Sequence, residues 1–346
     1  MPKKYSTIIR YITTAFIFSL VSLIICLYIF LIPASNISHV INIPQSASVT
    51  KISSILKSNS LIHSEFFFKL ALKISNKDTL LRAGHFYIPT QTNQQQLIRI
   101  LTTSNGAYNL EKVVIPEGFS ISQIAQTLEK KEICNKDEFE EYAHNLAKDK
   151  FSNEFKFLSS IPSSITTIEG YLFPNTYFFK KNESIPTIIR SMLKEFNKKI
   201  AIPYNQSLKV QTFKYNFHQL VTLASMIEKE TRVVDEMPRI SSVFYNRLRK
   251  RMRLSSDPTV VYALGKSYKD RVYYKDLKVK SPYNTYRVGG FPPSAIASPG
   301  QKAFKAACFP ESTTFLFFVA SNDGRHYFSN SYQEHLAFQR KNKRKN

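Results

Sequence analysis

The chain has 346 residues, 43% of them hydrophobic, with 27 Phe and 19 Tyr, which is enough apolar mass for real cores and excludes wholesale disorder. A formal net charge of +23 points to polyanionic surroundings: nucleic acid, an anionic membrane surface, or a cell wall bearing peptide carboxylates. No helix-turn-helix, RNA-binding or zinc signature accompanies the charge, so nucleic acid is not an expected partner; three cysteines exclude a disulfide scaffold, and without CxxC, HExxH or a His cluster neither metal nor cofactor is implied.

Residues 1–10 carry Lys3, Lys4 and Arg10, and no charged residue occurs from Ile12 to Ile32. About 20 apolar residues cross a bilayer as a helix, so 11–33 is predicted to be a single transmembrane anchor with residues 1–10 in the cytoplasm and the rest of the chain outside. A cleaved signal peptide fits less well, because the run exceeds the usual apolar core of about 7–15 residues and no A-x-A site follows. Beyond Pro33 the sequence repeats itself. Ile43-Pro44 with Ser48, Ile52, Leu56, Phe67 and Ala71 matches Ile115-Pro116 with Ser120, Ile124, Leu128, Phe139 and Ala143 at a constant offset, and each serine stands where a helix N-cap belongs. Ala83 to Pro89 reads as a short strand and Gln95 to Leu101 as a short helix. The first small α/β module is therefore placed at 40–105, with a second related unit and linker at 110–160.

Residues 151–165 read as a polar connection and Pro203 to Phe213 as a second linker. Between Phe217 and Thr231 the apolar residues Phe217, Leu220, Leu223, Ala224 and Ile227 fall at helical spacing, giving a core helix with one buried stripe. That helix ends in Glu228 and Glu230, where its dipole disfavours carboxylates and nudges them towards the neutral form. At 100° per residue the two project to opposite flanks, so they do not make a side-by-side pair, and helical geometry alone does not choose between them.

A further helix is predicted from about Asp235 to Arg249. Asn246 lies near its apolar face, either as a buried hydrogen-bonding residue or as a substrate contact. Four prolines make 281–300 an irregular loop. Phe315 to Ala320 reads as a buried strand, Asn322-Asp323-Gly324 as a hairpin turn and His326 to Phe328 as the return strand. Ser331 to Glu334 has capping-box spacing and opens a last helix before the basic tail 341–346. His326 and His335 are read as structural, and Cys134 and Cys308 as free thiols.

Five ordered blocks now stand out: Glu169 to Tyr177; Leu220 to Thr231; Ser242 to Leu248; Met252 to Val260; and Tyr283 to Tyr286 with Gly290-Phe291-Pro292-Pro293. Together they closely resemble the membrane-anchored endolytic murein transglycosylases, the MltG or YceG-like family, over roughly residues 40–340. The resemblance implies an α+β fold with a LysM-like module at 40–105 and a lytic transglycosylase domain at 165–340. It also implies an inner-membrane, single-pass enzyme whose catalytic domain is extracytoplasmic, and cleavage of the MurNAc-GlcNAc bond of peptidoglycan glycan strands. Peptidoglycan synthases are the protein partners it suggests.

Cleaving a glycosidic bond needs a proton on the leaving oxygen, and hydrolases recruit a second carboxylate to activate water. A lytic transglycosylase, as the family implies, uses one Glu first as acid and then as base, so that the muramic acid 6-hydroxyl closes a 1,6-anhydro ring. The resemblance selects Glu230, in the pair Glu230-Thr231, and leaves Glu228 a supporting residue. Asn246, Asp257, Thr259, Tyr283, Asn284 and Tyr286 are candidates to line the saccharide groove, since amides, hydroxyls and Tyr rings match sugar surfaces; each has an equal structural alternative, Asp257 as a helix cap among them. Asn175, Ser256 and Ser294 depart from the resembled pattern at positions expected to leave Glu230 untouched. The rival reading is a silent peptidoglycan-binding or division scaffold, which would keep anchor and modules but need no acid in an apolar setting.

Overall fold

The computed structural model describes residues 13–21, 31–35, 39–103, 110–208, 213–265 and 272–343. Lys3, Lys4, Arg10 and half of the predicted anchor lie outside them; residues 13–21 are helical, and among the described residues no helix is long and apolar enough to cross a membrane. The fold is mixed, with helices predominating and three two-stranded sheets among the described residues. The chain divides into two compact units: Met1–Lys112 with Phe178–Lys181, and Val113–Tyr177 with Asn182–Asn346.

In the first unit, strand β1 (His39–Ile43) pairs antiparallel with β2 (Gly84–Ile88), registering Ile41 against Phe86 and Ile43 against Gly84. Alternation turns Ile41, Ile43, Phe86 and Ile88 onto one buried face. Helices α1 (Val49–Ser58), α2 (Glu65–Ile74) and α3 (Gln94–Thr102) cover that face with Ile52, Leu56, Phe68, Leu72, Leu97 and Leu101. Ser48 caps α1 by accepting from the Lys51 amide.

The second unit repeats the opening of the first. Strand β3 (Glu111–Val114) leads to α4 (Ile121–Lys130), capped by Ser120 in a complete capping box, and to α5 (Lys136–Glu141). The constant offset holds through the first helix and then slips by one residue. The buried positions on α2 are Phe68 and Leu72, against Phe139 and Ala143 downstream, while Phe67 and Ala71 are only half-buried. The cause is the helix–helix connection, residues 59–64 in the first unit and 131–135 in the second.

Helix α6 (Ala147–Phe151) leads into the 151–165 segment, which is not a polar connection. Phe151, Phe155, Phe157, Leu158 and Ile161 are buried, and the Phe157 ring lies 5.1 Å from Phe196 and 6.0 Å from Tyr171. A 3-10 turn at Lys156–Ser160 breaks the 3.6-residue period, so the apolar spacing carries no helical signature. Strand β4 (Thr176–Phe179) pairs with β3. Helix α7 (Ile185–Phe196), which the sequence reading missed, supplies Ile188, Ile189, Met192, Leu193 and Phe196 to the core. The expected linker at 203–213 is partly helical: α8 (Ile202–Ser207) carries Pro203 in its first turn, where a missing N–H costs nothing, and Tyr204 packs 4.7 Å from Phe217; residues 209–212 lie outside the described set.

At the centre is α9 (Phe217–Glu230), capped by Asn216 and buried on nearly every side from Phe217 to Ile227. It is a central helix rather than one with a single buried stripe. Its polar residues are satisfied locally: Thr222 Oγ1 donates to His218 O at 2.9 Å, and Ser225 Oγ donates to Thr222 O at 2.7 Å. His218 Nε2 donates to Pro293 O at 2.9 Å; burial lowers the ring's pKa and keeps it neutral, so Nδ1 accepts from the buried Tyr171 hydroxyl at 2.9 Å. Around α9 lie α10 (Met237–Arg249), α11 (Asp257–Ala263) and α12 (Gln301–Cys308). Strands β5 (Phe317–Ala320) and β6 (His326–Ser329) pair antiparallel and are half-buried rather than buried, and α13 (Tyr332–Lys343) follows.

Candidate active site

The C-terminal end of α9 opens into a cavity of about 740 Å³ lined by Lys229, Glu230, Arg247, Asp257, Tyr286 and Phe317, among others. Glu230 is the last helical residue. Thr231 leaves the helix with φ −143° and ψ 147°, and its Oγ1 accepts from the Val233 amide at 2.9 Å, fixing the turn beyond the acid. The Glu230 carboxyl keeps part of its surface open to the cavity while protein atoms surround the rest. That burial pushes it up to about 7, assisted by the negative charge of Asp257 and opposed by the Ser256 hydroxyl and Arg247. The helix C-terminus acts in the same direction as burial.

Ser256 Oγ donates to Glu230 Oε1 at 2.5 Å. The expectation that Ser256 leaves the acid untouched is therefore wrong: the loop before α11 returns beside α9, a contact across 26 positions that no local pattern reveals. Ser256 is itself held tightly, its amide donating to Thr285 Oγ1 at 3.0 Å and its carbonyl accepting from Thr259 Oγ1 at 2.7 Å. With Oε1 engaged by Ser256, Oε2 is the Glu230 oxygen left without this partner.

Of the residues singled out from the sequence, Glu230, Asp257 and Tyr286 meet in this cavity. Asp257 opens α11 from an exposed position, with Ser256 as the N-cap residue, and its Oδ1 accepts from the Tyr286 hydroxyl at 2.6 Å. The others stand behind the wall. Thr259 is fully buried and orients Ser256. Asn284, also fully buried, donates to Leu277 O and Val279 O and accepts from the Tyr286 amide, so it shapes the loop that carries Tyr286. Tyr283 is bonded to Ser294 at 2.7 Å, with its ring 4.9 Å from Tyr262. Asn246 donates to Thr313 O and Phe315 O, securing the segment before β5. Glu228 lies on the other flank of α9, where its Oε2 accepts from the Gly300 amide at 3.0 Å; burial, with Glu117 nearby, pushes it up to about 7.

Two further residues were not proposed from the sequence. Arg247 donates from Nε to Leu316 O at 2.7 Å and from Nη1 to Leu254 O at 2.5 Å, tying β5 to the loop before Ser256 while its guanidinium covers Phe317. Arg247 stands in the last turn of α10, where a basic residue is ordinary, so nothing local marks it as buried. Glu169, 1% exposed, accepts from the Ile121 amide and the Tyr262 hydroxyl, and burial pushes it up to about 7. His326 lies on the cavity wall, 2.8 Å from the buried Glu236, and His335 3.1 Å from Gln339. Cys134 and Cys308 are free, and burial raises both thiols to about 12.

The sequence profile described as the YceG-like family matches residues 41–341. A Bacillus subtilis protein named endolytic murein transglycosylase is 37% identical over 305 residues, covering 85% of this chain and 82% of that protein. A Streptococcus pneumoniae protein of the same name is 29% identical over 315 residues, and there the match spans just over half (56%) of the relative. A crystal structure of a yceG-like protein from Listeria monocytogenes, 34% identical, superposes with a TM-score of 0.59 over 88% of this chain and 100% of that one.

Proposed function

The chain belongs to the YceG-like family, and from that membership together with the acid at the end of α9 we propose that it is an endolytic murein transglycosylase with Glu230 as its catalytic residue. The observation that carries the proposal is the state of Glu230: a carboxyl facing a wide cavity, neutral to about pH 7, with one oxygen occupied by Ser256 and the other left for substrate. Glu230 Oε2 gives its proton to the glycosidic oxygen as the bond from muramic acid C1 breaks. The resulting carboxylate then takes the proton of the C6 hydroxyl, whose oxygen bonds to C1. No water is consumed and Glu230 ends as it began. Asp257, Tyr286 and Arg247 supply polar contacts along the cavity, while Thr259, Asn284, Tyr283 and Asn246 act behind them as positioning residues and Glu228 supports α9 from its other flank.

The domain at 165–340 performs this chemistry, the module at 40–105 is a LysM-like element contacting glycan, and 11–33 anchors the chain in the membrane with residues 1–10 in the cytoplasm. The support is the uncharged run from Ile12 to Ile32 and the β-α-α-β order of the first unit. Digestion of purified peptidoglycan with mass analysis of the products tests the reaction: 1,6-anhydro-muramic acid ends are expected, one water lighter than hydrolysed ends. Predominantly hydrated ends would mean that a second carboxylate, Asp257 being the one in the cavity, activates water, and no products at all would favour a silent scaffold.

A further inference from the structure

Helix α2 is apolar on two faces. Phe68 and Leu72 point into the first unit's core at 0% exposure, while Phe66, Leu70 and Ile74 stand outside at 65%, 40% and 75%. Spaced four residues apart, these three form one outward stripe, and Lys69 and Lys73 lie beside them on the same side. A helix apolar all round needs cover on both faces, and a patch of this kind on a soluble surface marks an interaction site. Where the helix begins limits the choice of cover. His63 Nε2 lies 3.2 Å from Ile32 O, so the turn leading into α2 is tied to the last residue of the uncharged N-terminal run, where Leu31 and Ile32 are themselves exposed.

We propose that α2 is an interfacial helix lying on an anionic membrane surface, with Phe66, Leu70 and Ile74 at the headgroup–acyl boundary and Lys69 and Lys73 reaching to lipid phosphates. The proposal rests on the reading of the N-terminal run as a bilayer anchor. The apolar stripe supplies the buried area and the lysines the attraction to anionic headgroups. The tie to Ile32 places both within a few residues of the point where the chain leaves the bilayer, so α2 pays little additional entropy to settle there. A single acidic residue, Glu65, lies on the helix, and it points inward to the Ser53 hydroxyl at 3.4 Å.

The chain contains no Trp, so one introduced indole reports on its own surroundings. Full-length Phe66→Trp and Ile74→Trp proteins would be reconstituted in phosphatidylglycerol–phosphatidylcholine vesicles, with and without bromine on the acyl chains. Tyr274→Trp, at a position 90% exposed in the second unit, is the solvent reference. Indoles at 66 and 74 are expected to emit to the blue of the reference and to be quenched by brominated lipid. Flotation with the vesicles but solvent-like, unquenched emission overturns the proposal and leaves the anchor standing. A blue-shifted indole that bromine does not quench assigns the stripe to a second copy or another protein, and also overturns it. Failure to float removes the anchor and this proposal together.

Discussion

Glu230 and Ser256 together set the acid's proton affinity, and the two can be separated by substitution. Glu230→Gln keeps shape and hydrogen bonding but has no transferable proton, so turnover should fall by the ~10²–10⁴-fold typical of general acid catalysis, with the thermal midpoint unchanged at about pH 5, where the parent carboxyl is neutral too. Glu228→Gln, on the other flank of α9 and bonded to Gly300, should cost far less, and near-equal losses would mean that the acid has been misassigned. The reaction needs Glu230 protonated, so kcat should decline as pH rises through about 7. The Ser256 hydroxyl donates to Glu230 and thereby favours its charged form. Ser256→Ala should therefore move this limb to higher pH while lowering the maximal rate, because Oε1 is no longer held. A pH–rate profile that loses height but keeps its position would leave Ser256 with a packing role only.

At the scale of elements, the site depends on how closely the 293–300 loop can approach α9. Gly170 permits it: its φ is +88°, and a Cβ there would lie 2.3 Å from the Ala295 Cβ. The next residue, Ile296, donates from its amide to Ser225 Oγ on α9 at 3.0 Å. Gly170→Ala should destabilise the protein by at least ~1–3 kcal/mol, from overpacking added to the left-handed backbone. Ala295→Gly in the same chain should recover the packing part alone, and denaturation midpoints of the three variants would show whether the rescue is partial, as expected, or complete. These elements differ in how far sequence gives them away. The central helix and its terminal acids are local features with strong periodicity, and α10, β5, β6 and α13 announce themselves by the same means. The aromatic segment at 151–165 does not, since a 3-10 turn scrambles its period. Nor do Arg247 and Ser256, whose roles exist only because two distant loops converge on α9; Thr259 and Asn284, expected among the groove-lining residues, are fully buried instead, with backbone and neighbouring hydroxyls as partners.

Across the molecule, three acids, Glu169, Glu228 and Glu230, share one condition: burial holds each near about 7, well above the ordinary carboxylate value of 4.5. In the unfolded chain they would ionise near the ordinary value, so between about 4.5 and about 7 the folded state binds more protons than the unfolded one. The stability these groups contribute is fully present below that window and is lost as pH rises through it. The slope is at most ~1.4 kcal/mol per pH unit for each group, and less for Glu228 and Glu230, which are partly open to solvent. Glu169 isolates the effect, being 1% exposed and outside the cavity. In Glu169→Gln the amide oxygen can still accept from the Ile121 amide, and the amide nitrogen can donate to the Tyr262 hydroxyl, so the fold should survive. Relative to the parent, the variant should gain stability on going from about pH 5 to about pH 8, by an amount on the order of 1–3 kcal/mol. Thermal midpoints of both proteins at the two pH values would test this, and parallel shifts in parent and variant would mean that Glu169 is ionised in the folded state, with Lys229 and the Ile121 amide outweighing its burial.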